Sequence, residues 1–433
     1  MGANDVVLGR LLGAAAQFSD EQIAQTVEML VAHGFAQGAN VLHIEPHENS
    51  VAVRYRVDGI LRSAHKLPLA ALGPMVLHLK TLASLAADER RVPQQGNFQI
   101  IVEGTPVQIL LSTMPAVGGE HAVLHLSAAS SRPAPLEALG FWGESLRVTQ
   151  KALARPHGFV LVGGEKRSAT AATLLSLVAS LARPSVSIVT VEDEITQRVP
   201  GVVQTELANS GGTADALRAA LHHDPNVIML GHVADRESLQ LSIQAANNGH
   251  LVLAGVHASS AGKALLHVAA GGVEPFLLGA SVQLVIAQQQ VPRLCRQCRE
   301  RHELTEVEQR ALATTFGITA RDQIRVHALE RAALEAGLGL GDPLGSSTTN
   351  VTHLWRAKAS GCEACHHRGW DGQLNLVEAV PMTDVVRTAL VKNPTEAKLQ
   401  GAAVKADVVP IGLDGLIKVL RGLTTLEAVA PLL

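Results

Sequence analysis

Four apolar runs without polar alternation dominate the middle of this chain: residues 158–162, 186–191, 226–230 and 250–256. Runs such as NVIML and HLVLAGV present no polar face to water, so each must be covered on both sides. Helical patterns at 168–182, 213–222 and 236–246 separate them. Strand–helix alternation of this kind builds a parallel sheet with helices on both faces. Such a sheet binds its ligand beyond the carboxyl ends of its strands. The first run ends there in LVGGEKRSAT, residues 161–170, laid out as a phosphate-binding turn: strand, glycines Gly163 and Gly164, then a helix of small residues. A working P-loop reads G-x-x-x-x-G-K-[ST], with the lysine reaching the phosphates and the hydroxyl reaching magnesium. Counted from Gly163, its final glycine is Ser168, its lysine is Ala169 and its hydroxyl residue is Thr170. The frame and the hydroxyl are present, the lysine is not, and the cations of the turn are Lys166 and Arg167.

The residues ahead of this core follow another pattern. Residues 5–37 read as helices with short breaks, and 41–46 and 50–57 as strands. Asp58-Gly59 marks a hairpin turn, 68–87 are helical, and three more strands fall near 98–103, 106–112 and 121–126. SAASSRPAP, residues 127–135, is a polar linker. This describes a small α+β domain joined to a larger α/β one, which suits a chain of 433 residues.

The cysteines point to metal. There are four, in two C-x-x-C pairs, Cys295/Cys298 and Cys362/Cys365, with 63 residues between the pairs. In a reducing compartment such pairs read as a zinc site rather than disulfides. Two of these turns complete one closed, structural tetrahedron, which makes the adjacent His366 and His367 bystanders. A net charge of −3 gives no electrostatic grip on nucleic acid. No apolar run reaches the roughly 18 residues that span a bilayer. The first residues, MGANDVVLGRLLGAAAQ, lack the basic and apolar regions of a cleavable signal. The expectation is a cytoplasmic protein without direct membrane insertion, linked to a membrane through partners.

The order of motifs resembles one family. ANVLHIEPHENSVAVRYRVDGIL, ERRVPQQGN, STMPAVGGEHAVLHL, SIVTVEDEI, DPNVIMLGHVADRES, NNGHLVLAGVHASSA, RLCRQC, GCEACHHRGWDG and DGLIKVLRGLTTLEAV follow each other as in the ATPases of type II secretion and type IV pilus assembly. The resemblance runs through nearly the whole chain, and the cysteine pairs favour the assembly and secretion branch over the retraction branch. It implies a RecA-like P-loop ATPase core preceded by a small α+β domain, with a zinc-binding insert and C-terminal helices. The expected divisions are a PAS-like domain at 1–126, a linker at 127–137, the RecA-like domain at 138–290, the zinc subdomain with a helical insert at 291–375, and a helical subdomain at 376–433. The match begins within the first forty residues, so the further N-terminal domains of many members are expected to be missing. The resemblance also implies a hexamer with nucleotide between the two domains of each subunit, acting on an inner-membrane platform protein.

The resemblance breaks down where the family grips triphosphate. Family cations fall here at Ala169, Asn97, Leu110, His125 and Ala234. The water-polarising glutamate falls at His232, and the Walker B aspartate at Asn226. Glu165 adds a charge that repels phosphate, and Ser168 replaces a glycine. A hydrogen bond to a charged group contributes about 1.5–3 kcal/mol, so losing the lysine and two arginines would cost roughly 5–9 kcal/mol if additive. A micromolar site has about 8 kcal/mol in total. Retained family positions are Gly163, Gly164, Thr170, Glu192, Asp193, His250 and His257. The expectation is a pseudo-ATPase, a structural or regulatory subunit in a homo- or hetero-hexamer with an active paralogue. Zinc is the expected cofactor, and ATP with Mg²⁺ is the one in question. The alternative is a working motor whose phosphates are held by Lys166 or Arg167.

Overall fold

The computed structural model describes residues 18–432 apart from 58–59, 129–131, 166, 208–211, 234, 317–319, 339–352, 366, 393 and 407, and the side chains at 167, 168 and 320–325 are also outside that description. The hairpin turn expected at Asp58-Gly59 therefore lies outside the described residues. The chain divides into two compact units, residues 1–131 and 132–433.

The first unit is a six-stranded antiparallel sheet with two helices. Helix α1 (Asp20–Ala36) starts at a capping box: Gln22 N donates to Ser19 Oγ at 3.2 Å, and Ser19 N donates to Gln22 Oε1 at 2.9 Å. Strands β1 (Ala39–His47), β2 (Ser50–Val57) and β3 (Ile60–Pro68) precede α2 (Leu72–Leu82), and β4 (Gln94–Val102), β5 (Thr105–Ala116) and β6 (Gly119–Ala128) follow it. The sheet order is β3-β2-β1-β6-β5-β4. Alternation puts Leu42, Ile44, Val51, Val53, Tyr55, Ala122 and Leu124 in the core with both helices. The single tyrosine, Tyr55, donates its hydroxyl to Leu30 O at 2.9 Å, and a Cβ on Gly34 would lie 3.0 Å from its ring. Lys80 is fully buried and donates to the Glu120 carboxylate at 2.5 Å and to Glu89 O at 2.6 Å.

The second unit is built on a seven-stranded sheet. In chain order its elements are α3 (Gly143–Leu153), β7 (Gly158–Gly164), α4 (Arg167–Leu181), β8 (Ile188–Glu192), β9 (Val203–Glu206), α5 (Thr213–Leu221), β10 (Val227–Leu230), α6 (Arg236–Asn247), β11 (Leu251–His257), α7 (Ala261–Ala270), α8 (Pro275–Ser281) and β12 (Val282–Leu294). With a last strand β15 (Trp370–Pro381), the order β15-β12-β7-β11-β10-β8-β9 places β7 between two parallel neighbours, and every β7 residue is buried. The four apolar runs thus form the centre of a parallel sheet.

The region beyond 290 departs from the sequence reading. A small hairpin of β13 (Glu300–Glu303) and β14 (His353–Arg356) brackets helices α9 (Glu306–Phe316) and α10 (Ala320–Glu335), as a helical insert should. But β12 crosses the expected boundary at 290/291, and β15 (Trp370–Pro381) crosses the one at 375/376. The segment expected to be wholly helical therefore opens with an edge strand of the main sheet, antiparallel to β12. A short apolar run such as LNLVEAV has the same hydrophobic pattern in a strand as in a buried helix, and long-range pairing with β12 decides between them. After it come α11 (Asp384–Val391), α12 (Glu396–Lys405) and α13 (Ile411–Leu420).

Helix α13 is fastened by a buried ion pair. Lys418 Nζ donates to Asp414 Oδ2 at 2.5 Å and to Gly140 O and Asn375 O, both at 2.8 Å. Asp414 also accepts from Trp142 Nε1 at 2.6 Å and from Val377 N at 2.8 Å. Burial lowers the Lys418 pKa, while Asp414 acts against that shift. Removing one partner leaves an uncompensated buried charge, so Asp414→Ala should lose about 3–5 kcal/mol in denaturant unfolding.

A second buried carboxyl has the opposite standing. Glu378 on β15 is 2% exposed, and its nearest donor, Ala261 N, lies at 3.5 Å. Burial raises its pKa to about 7 against that weak hydrogen bond. Its folded pKa exceeds its unfolded one, so its ionisation erodes stability as pH rises from the ordinary carboxyl range to about 7. Glu378→Gln should therefore stabilise the protein at pH 8 by up to about 3 kcal/mol and leave it nearly unchanged at pH 4. Thermal unfolding at the two pH values checks this.

Candidate functional site

The phosphate-loop position is built by close backbone packing. Gly163 and Gly164 pair with Val256 and His257 of β11 on one side and with Ala287 and Gln288 of β12 on the other. A Cβ on Gly164 would stand 2.6 Å from Thr170 Oγ1, and one on Gly255 would stand 2.2 Å from Gly231 O. Neither position has room for a larger residue. Thr170 is 5% exposed and Ala169 4%, so the first turn of α4 packs inward against the sheet. Beyond the strand ends lies a cavity of about 110 Å³ lined by Gly164, Thr170, Gly231, His232, Val256 and His257. Pockets for drug-sized ligands usually measure about 300–1,000 Å³. Among the described residues, no lysine or arginine lines it. Lys166 and Ala234 lie outside the described residues, as does the side chain of Arg167.

The retained family positions divide. His257 ends β11 beside Gly164 and reaches the cavity, where it meets His232, the residue expected at the lost glutamate position, just after β10. His250 does not: it precedes β11, at the other end of the sheet, roughly 20 Å away along a strand rising about 3.3 Å per residue. Its Nδ1 lies 2.7 Å from Pro225 O, a tie between neighbouring loops. Glu192 ends β8 next to Gly231, but its carboxylate turns towards β9, accepting from Thr190 Oγ1 at 2.6 Å and Gln204 Nε2 at 3.0 Å. Burial raises its pKa above the ordinary value. Asp193 is exposed. Glu194 escaped the sequence reading; burial, then the charge of Glu206, lifts its pKa to about 7. Its place directly after the retained Glu192-Asp193 pair was the available signal.

The first unit places three of the substituted cation positions together. Asn97 pairs with Leu110, and Leu110 with His125, across β4, β5 and β6. His125 pairs in turn with Val41, and Val41 with Arg56. Positions from separate segments therefore form one row across the sheet, with Arg56 its remaining permanent cation.

The four cysteines converge. Cys295–Cys362 and Cys298–Cys365 sulfurs are 3.8 Å apart, Cys362–Cys365 sulfurs 3.7 Å, and all four lie within 4.8 Å of one another. A zinc–sulfur bond of about 2.3 Å gives tetrahedral edges of about 3.8 Å, so the sulfurs already stand at the spacing of a zinc site. Cys365 Sγ accepts from Cys362 N at 3.2 Å and from Gly369 N at 3.1 Å. Burial opposes a thiolate at Cys365, but these N–H groups and neighbouring sulfurs bring its pKa down to about 6. The turn is tight: Gly361 has φ +56°, and a Cβ there would lie 2.3 Å from the His367 carbonyl carbon. His367 Nδ1 lies 3.3 Å from Ser360 O, and His366 lies outside the described residues. The donor set and spacing fit a structural Zn²⁺ held by four sulfurs.

Comparisons with known proteins agree with this architecture. The family model described as "Type II/IV secretion system protein" matches residues 16–430. The type IV pilus assembly ATPase PilB of Thermus thermophilus is 32% identical over 413 residues, covering 95% of this chain and 43% of that protein. This chain thus spans less than half the length of that relative. Type II secretion system protein E of Pseudomonas aeruginosa is 32% identical over 417 residues, with 95% and 76% coverage. In fold, the chain is similar to the ATPase DotB of Yersinia pseudotuberculosis, with TM-score 0.63 at 16% identity and 96% and 95% coverage. It is also similar to the pilus retraction motor PilT with bound ADP, with TM-score 0.58 at 17% identity and 94% and 96% coverage.

The cysteine geometry yields a direct test. Protein purified without added metal should contain a single zinc ion per chain, and Cys298→Ser should lose it and loosen the surrounding subdomain. Elemental analysis with thiol titration checks this; four freely titrating thiols and no zinc would contradict it.

Proposed function

The chain belongs to the type II/IV secretion system protein family, and on that premise we propose that it is a pseudo-ATPase, a structural or regulatory subunit of a type IV pilus or type II secretion motor. One observation carries the reading: among the described residues, the small cavity beyond β7 is lined by glycines, Thr170, Val256 and two histidines, with no lysine or arginine. Phosphoryl transfer depends on cations around the transferring group and on a residue that orients the nucleophile. Here Ala169 supplies no charge at the lysine position, and His232 supplies no carboxylate next to β10. The row of Asn97, Leu110 and His125 bears on the same loss, because these three substitutions fall together on one sheet.

In this reading the fold is kept for assembly. The protein takes its place in a homo-hexamer, or in a hexamer with an active paralogue, on the cytoplasmic side of the inner membrane, and it docks on the platform protein of the machine. No helix among the described residues is long and apolar enough to cross a membrane, so a partner would supply the membrane link. The cysteine cluster, filled with zinc, is a structural element, and ATP with Mg²⁺ is not a working cofactor.

Thermal shift and phosphate release test the chemistry. A nucleotide at a hundred times its Kd would add about 2.7 kcal/mol to stability, a measurable rise in Tm. The expected result is no rise with MgATP and no phosphate release above background. Ala169→Lys alone should not restore turnover, since the other cations and the carboxylate would still be missing. Turnover in the unmodified protein that Lys166→Ala abolishes would instead establish an active motor with a rearranged loop.

A further inference from the structure

A second group of metal-ligating side chains stands in the first unit, whereas the cysteines belong to the second. His43 and Glu45 are alternate residues of β1, so they share the sheet face opposite the buried Leu42 and Ile44. His121 on β6 comes one step beyond the paired positions Ile44 and Ala122, beside Glu45. Glu45 Oε1 lies 3.8 Å from His43 Nδ1 and 3.8 Å from His121 Nε2. One ligand atom from each of the three lies within 4.8 Å of the others. The two imidazoles are nearly parallel, at 20° with centroids 5.8 Å apart.

The hydrogen bonding of these rings is incomplete. Both nitrogens of His43 and Nε2 of His121 are buried without a hydrogen-bond partner. A buried polar atom left unpaired costs free energy, and such a cluster calls for an explanation such as an ion. A single cation would satisfy one nitrogen from each ring and the carboxylate together. Bonds of about 2.0–2.1 Å to zinc give tetrahedral edges of about 3.4 Å, so the two Glu45 edges would shorten by about 0.4 Å, and the edge between the imidazoles closes from within 4.8 Å. Two imidazoles with one carboxylate suit zinc, cobalt, nickel or copper rather than magnesium or calcium.

We propose that His43, Glu45 and His121 bind one divalent transition ion of the zinc class through two imidazole nitrogens and one carboxylate oxygen, leaving the remaining positions to water or an anionic oxygen. The ion would clamp β1 to β6. Arg54 hydrogen-bonds to Glu45 Oε1, the same oxygen that faces both imidazoles, so its guanidinium competes with a cation for that oxygen. Its positive charge, and that of Arg56 in the neighbouring row, oppose a cation and keep the affinity moderate. The donors differ from those of the cysteine cluster, so the two sites are separable by chemistry as well as by position.

The untagged 433-residue chain, its cysteine cluster first filled with zinc, is freed of loosely held metal with a weak chelator and titrated with Zn²⁺ by calorimetry. The expected result is one further equivalent, weakened by at least about ten-fold in His121→Ala and Glu45→Gln while the cysteine-bound zinc is retained, which also reports that the variants fold. Arg54→Ala should bind the added ion more tightly, an effect that a purely structural cluster would not produce, and excess Mg²⁺ should not compete. No further equivalent with a Kd below about 100 µM in the unmodified protein, that is, none bound by more than about 5.5 kcal/mol, would overturn the proposal. So would an added equivalent unaffected by both substitutions.

Discussion

The buried pair of Asp414 and Lys418 holds the far edge of the main sheet to the rest of its unit. One carboxylate receives Lys418, Trp142 and the Val377 backbone, and one ammonium reaches Asp414, Gly140 and Asn375. Three segments distant in sequence thus meet at two side chains: the chain before α3, the edge strand β15 and the helix α13. A buried ion pair rarely adds net stability over an apolar substitute, but it tolerates little change in geometry. It therefore fixes where β15 lies, and through β12 the flank of β7, from which the phosphate-loop position emerges.

At that position shape and charge have parted. Gly164 against Thr170 and Gly255 against Gly231 leave no room for a larger side chain, so the close backbone packing beneath the loop is present. On the proposed reading, the charges that would make the frame useful for phosphate are replaced at Ala169 and His232 in this unit and at Asn97, Leu110 and His125 in the other. Backbone packing and charge complementarity are separate requirements, and a chain can keep one after losing the other. The same separation appears at the carboxylates: Glu192 is present in the family position, yet its oxygen is engaged by Thr190 and Gln204.

The two candidate metal sites are contrasting solutions to one problem. The cysteine cluster draws its ligands from two tight turns, each of which brings two sulfurs together locally. The histidine–glutamate cluster draws its ligands from strand alternation and cross-strand pairing, with an arginine already on the carboxylate. The first has donors at zinc spacing before any ion arrives, and the second requires a small closure.

Much was legible in the sequence because the signals were local. Buried parallel strands cannot alternate, so the runs at 158–162 and 226–230 identified themselves, and C-x-x-C spacing announced the thiol site. The missing lysine was visible by counting along the loop. Other features belong to register and long-range pairing, which no local pattern encodes. The strand nature of β12 and β15 was hidden, since a Gln-rich stretch and a short apolar run become strands through pairing with each other. His250 is a family position by sequence, yet strand direction carries it to the end of the sheet away from His257. Antiparallel register aligned Asn97, Leu110 and His125 in one row and brought His121 to His43 and Glu45. The sequence alone determined the central buried strands, the thiol pairs and the residue types along the loop; the tertiary structure decided the remaining strands and which residues meet, because a side chain's neighbours across a sheet are set by pairing and not by distance along the chain.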